Sequence, residues 1–193
     1  MEKPTKTFGL DEPIDLYRKL LFDIERLRVG TSSRAVQYAA FDCAVDAFHL
    51  VDWVLHAADD DTHLRLTGKR RGAHKIVQGF IETNADRLPD LELCRQIANS
   101  VKHVVMTIGP QMENMSTGST VVFDPPFVVD QPFPPGFRIY AQAYIELDGT
   151  QHAVIELFEH MARQWETFLR QEGLFVEELP DPPAPSDDDL DEE

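Results

Sequence analysis

Residues able to do chemistry gather in two stretches of this 193-residue chain. One runs from Cys94 to His103 and carries Arg95, Asn99, Lys102 and His103; the other runs from Phe41 to His56 and carries His49, Asp52, Trp53 and His56. Three chemistries could use them. His103 can serve as acid or base on a phosphodiester while Lys102 and Arg95 stabilise developing charge. His49, Asp52 and His56, at i, i+3 and i+7, could ligate a divalent metal in a helical bundle, with His103 joining from a facing helix. The same side chains could instead hold a ligand or a partner chain without reaction. Spacing does not separate the first use from the third. The metal use lacks a Glu-x-x-His pair or two histidines four residues apart, so no metal or other cofactor is expected.

Several other site types lack their motif. Gly68-Lys69 has neither the upstream glycine nor the following Ser or Thr of a phosphate-binding loop. There is no Gly-x-Ser-x-Gly and no Cys-x-x-Cys for a serine hydrolase or a zinc ribbon. The basic run Thr67 to Lys75 could meet a phosphate or an RNA backbone, and an exposed interhelical loop accounts for it equally well.

Both stretches read as helices, so each residue has an angular position. At about 100° per residue, Asp42, Asp46, His49, Asp52 and His56 fall within an arc of about 120°, and Trp53 lies inside it. Arg95, Asn99 and Lys102 cluster in the same way, with His103, Gln96 and Ser100 broadening that face. A solvated helix face is the ordinary explanation for such stripes. It is usually built of Lys, Glu, Gln and Arg, however, whereas three Asp and two His stand here beside a large aromatic, as at a partly buried cleft.

The run Cys94-Arg95-Gln96-Ile97-Ala98-Asn99-Ser100-Val101-Lys102-His103 resembles the signature helix of the HEPN superfamily, helical-bundle domains of prokaryotic toxin-antitoxin and phage-defence systems. In that family an Arg, a polar residue, a short spacer and a His form a metal-independent ribonuclease site, generally composite across a dimer. Asn99 and His103 match the latter half of the pattern. The position before Asn99 is Ala98, and Arg95 stands eight residues before His103, further than the family places its Arg. The resemblance therefore implies an RNA- or partner-binding scaffold more than a reaction, with Arg95 and Lys102 as the cations that could substitute. The stretch from Phe41 to Trp53, taken with the Asn-x-x-Lys-His helix, is also similar to uncharacterised bacterial and prophage proteins. The resemblance leaves two alternatives standing: a non-enzymatic interaction or structural protein, and a metal-binding helical-bundle enzyme.

The elements that position these residues can be read from periodicity and punctuation. Asp11-Glu12-Pro13 opens a first helix, its apolar residues recur from Ile14 to Leu27, and Gly30 ends it. Thr31-Ser32-Ser33 caps a second, about Arg34 to Ala57, apolar over most of its circumference. Residues 58–72 read as a loop, followed by a short helix at about Ala73 to Thr83 and another at about Leu91 to Thr107, stopped by Gly109-Pro110. Val121 to Phe123, Phe127 to Val129 and the alternating run Phe137 to Leu147 read as strands of a small antiparallel sheet, with Ile139, Ala141, Ala143 and Ile145 on one face. Asp148-Gly149 turns the chain into a last helix ending near Gly173. The expected fold is mainly α, a bundle of about five helices in one domain (1–176), with a sheet at about 119–147 inserted before the last helix.

The net charge is −16, and its distribution matters more than its size. Nine acids stand from Glu177 onward with no Lys or Arg, so residues 1–176 hold all 18 basic residues and 25 of the 34 acids, a balance of −7. Four prolines and almost no apolar residues make 177–193 an expected disordered acidic tail. No apolar run approaches the roughly 18 residues of a membrane span, and nothing near Met1 reads as a secretory signal. With Cys43 and Cys94 placed inside helices, a cytoplasmic protein without a disulfide is expected. Its candidate partners are RNA, a protein chain or a second copy of itself, and not a membrane.

Overall fold

Pro13 supplies a preset φ at the first position of helix α1 (Pro13–Val29), and Asp15 Oδ2 accepts from the backbone N–H groups of Asp11 and Glu12, each at 3.0 Å. The computed structural model describes residues 7–102, 114–126 and 132–177, and among them α1 is followed by five further helices and three strands. Helix α2 (Ser33–Ala57) starts where Ser32 Oγ accepts from Ala35 N at 3.2 Å. It buries Val36, Cys43, Ala47, Leu50 and Val54 and packs along α1.

The stretch 58–72, expected as a loop, instead contains helix α3 (Asp60–Thr67). Asp59 Oδ1 caps it at 2.7 Å from Thr62 N, Asp60 and Asp61 lie in its first turn, and Gly68 closes it at a positive φ of 65°. Asp59, Asp60 and Asp61 thus serve as a cap and a favourably charged first turn. Helix α4 (Ile76–Thr83) begins three residues later than expected, and α5 (Leu91–Lys102) carries Leu91, Cys94 and Ala98 into the core. The expected extension of α5 to Thr107 lies outside the described residues, as do Phe127 to Val129 and residues 178–193 of the acidic tail.

Strands β1 (Met115–Asp124), β2 (Arg138–Leu147) and β3 (Thr150–Ala153) form an antiparallel sheet in that order, before α6 (Val154–Gln171). The sheet is longer than 119–147 at both ends, because the Asp148-Gly149 turn leads into β3 before the last helix begins. The expected inner face is buried over half its length. Ala143 and Ile145 rest on the helices, while Ile139, near the start of β2, is 59% exposed. Helix α6 closes the core: Trp165 is fully buried, stacks on Phe80 with centroids 6.3 Å apart and donates from Nε1 to Ala47 O at 3.0 Å.

A polar cleft between α2 and α5

Helix α5 lies against α2 because Leu91, Cys94 and Ala98 recur on one face and meet the apolar circumference of α2. Along one edge of that contact the two helices part into a cleft of about 660 Å³. Helix α2 contributes His49 and Asp52 above Phe41, Val45 and Phe48; α5 contributes Arg95, Ala98 and Asn99; Val77 and Gln78 of α4 complete the wall. The His49 ring meets Phe48 edge-on, with centroids 5.9 Å apart. The residues brought together thus offer an imidazole, a carboxylate and a carboxamide beside two phenylalanines, a set suited to hydrogen bonding and stacking of a planar polar group.

Arg95 is held on its own helix. Its Nε and Nη2 donate to the two oxygens of Glu92 at 2.8 and 2.5 Å, and Gln96 Nε2 adds a bond of 2.8 Å to the same carboxylate. Burial would raise the Glu92 carboxyl, but these donors outweigh it and hold Glu92 below the usual range. The guanidinium is bonded to Glu92, about two turns before Asn99. Lys102 is the last described residue of α5, and its side chain and His103 lie outside the described residues.

The stripe on α2 does not stay together. Trp53 and His56 face a different cleft, of about 770 Å³, between α2, residues 7–13 and residues 173–176, and Asp52 stands on the rim of both clefts. Asp42 and Asp46 turn toward α1. Lys19 Nζ donates to Asp23 Oδ2 at 2.7 Å and to Asp46 Oδ2 at 2.8 Å, and Arg26 Nη1 bonds Asp23 Oδ1 at 2.5 Å and Asp42 Oδ2 at 3.0 Å. Sequence reasoning missed this network, although Lys19, Asp23 and Arg26 share one face of α1 at helical spacing. Among the described residues no three His, Cys, Asp or Glu side chains converge as a metal site requires, so His49, Asp52 and His56 do not form one. The basic run after α3 is exposed from Arg70 to Lys75, and two of its cations are bonded within the chain. Lys69 Nζ donates to the carbonyls of His74 and Lys75, and Arg71 bonds Asp60 and the carbonyls of Leu55 and Ala58 at the end of α2.

Fold and cleft together define a mainly α protein with a small antiparallel sheet and a polar groove between two core helices. No family model, curated protein or solved structure matches the chain. Among the described residues no helix is long and apolar enough to cross a membrane.

Proposed function

We propose that this chain is a HEPN-like helical protein that binds RNA, or an extended segment of a partner chain, in the cleft between α2 and α5, without cutting it. The observation that carries this reading is the convergence of His49 and Asp52 with Asn99 and Arg95 on one concave surface. Binding without cleavage follows from Ala98, which stands where the family's arginine would be, and from Arg95, which is held by Glu92. Among the described residues the site has few cations and the domain is acidic, so base stacking and hydrogen bonding carry the affinity, and its salt dependence is shallow.

Fluorescence anisotropy with labelled single-stranded RNA tests this. Replacing His49 and Asn99 by alanine together is expected to weaken binding about tenfold. Absence of RNA binding at low salt removes the RNA reading. RNA cleavage that His103→Ala abolishes would restore a nuclease and overturn the no-cutting part.

A second reading, an interaction protein that pairs with its own copy, is supported by exposed apolar residues at one end of the sheet. Val121, Phe123 and Ile139 share one face there, 50%, 41% and 59% exposed. Light scattering of the wild type and of Ile139→Lys tests it. The expected outcome is a dimer that the lysine converts to monomer; a wild-type monomer at high concentration ends this reading.

A further inference from the structure

The second cleft has a chemistry of its own. Its inner wall is Trp53, half-buried on α2, with Leu10 and Leu174 beside it. Its rim carries three exposed carboxylates, Asp11, Glu12 and Asp52, with His56 as the neighbouring titratable group. Arg18, close by, donates to Val176 O at 3.1 Å and pairs with Asp15 at 3.6 Å, which holds its charge on the backbone and on its own helix. Two helices end at this cleft: Ala57, the last residue of α2, and Gly173, just past α6, both line it, so their partial negative charge adds to that of the carboxylates. The positive end of α1 also reaches the cleft, and the Asp15 carboxylate, which accepts from the N–H groups of Asp11 and Glu12 just before the helix, lies in its first turn. Thr7, half-buried, lines the same cleft, and its Oγ1 has no hydrogen-bond partner among the described residues.

From this we infer a binding site for a small organic cation, a primary ammonium or guanidinium group on an apolar body, with the cationic head between the indole of Trp53 and the carboxylates of Asp11 and Asp52. The aromatic face attracts the cation, the carboxylates select its charge, and the apolar walls desolvate its carbon skeleton. Anions are excluded by the rim. An uncharged isostere keeps only the apolar contact.

Isothermal titration of the full chain with 2-phenylethylamine and agmatine tests the site, against 2-phenylethanol and 3-phenylpropionate as neutral and anionic controls. Saturable binding of the amines is expected, with the alcohol at least about tenfold weaker and the acid not bound. Asp11→Asn with Asp52→Asn should weaken the amines about tenfold, and Trp53→Leu by at least as much. Both aspartates are exposed, so the double variant tests the site even where the tryptophan replacement perturbs folding. The site is overturned by equal binding of amine and alcohol, by an unchanged affinity in the double variant, or by no saturation at about 10 mM amine.

Discussion

Asp46 is the residue whose environment departs furthest from what its type suggests. It is 5% exposed on the side of α2 that packs against α1, bonded to Lys19 and beside the buried Asp23. Burial pushes its carboxyl up; the Lys19 bond opposes and the Asp23 carboxylate adds, and the balance stands at about 7. For Asp23 burial also acts upward, but the Lys19 and Arg26 bonds prevail and hold it below the usual range. The signs for stability are opposite. A free Asp titrates near about 3.9, so the fold favours protonated Asp46: that contribution is complete below about 4 and is lost as pH rises through about 7. The Asp23 contribution is present above about 4 and is lost as pH falls through its depressed value. Asp46→Asn, a permanently neutral mimic, is therefore expected to raise the melting temperature by more at pH 8.5 than at pH 5. Equal destabilisation at both pH values in thermal melts followed by circular dichroism would make Asp46 a plain ionised partner of Lys19.

At the scale of elements, α3 and α4 show how close approach sets what a short helix can carry. A Cβ built on Gly79 would lie 2.4 Å from the Thr67 carbonyl oxygen and 3.2 Å from Lys69 Cε, so α4 rests directly on the backbone that ends α3. Gly79→Ala, which by propensity alone would favour an isolated helix, is expected to cost about 1–3 kcal/mol here, read from urea denaturation midpoints. The neighbouring contact is polar as well: Asn84 Nδ2 donates to Leu66 O at 2.9 Å and to Phe80 O at 2.7 Å, joining the two helices through a buried amide. None of this was legible in advance. The eight residues of α3 place only Leu66 firmly in the apolar core, too short a run for periodicity to register, and β3 is four polar-leaning residues whose strand character comes from pairing with β2. The long helices were legible because their apolar stripes span three turns or more and their caps are local.

Over the whole molecule, the core joins all six described helices and the inner half of the sheet, and the two thiols report on it. Cys43 on α2 and Cys94 on α5 are free and fully buried, and burial raises both thiols far above their ordinary range. Alkylation of the native protein is expected to be slow and to accelerate for both cysteines together across the denaturation transition. Rapid native labelling of Cys94 alone, followed by mass spectrometry, would mean that α5 opens independently of the bundle. The sequence by itself determined the helical class, the sheet before the last helix and the angular placement of each polar residue, because caps and periodicity are local and a helix turns by a fixed angle. Only the tertiary structure decided what lies opposite each angle. It sent Asp42 and Asp46 to the cations of α1, His49 and Asp52 to a cleft shared with Asn99, and Trp53 and His56 to a separate acidic cleft. One continuous stripe became three environments because three different elements pack along its length, and their choice of neighbour depends on contacts far apart in the chain.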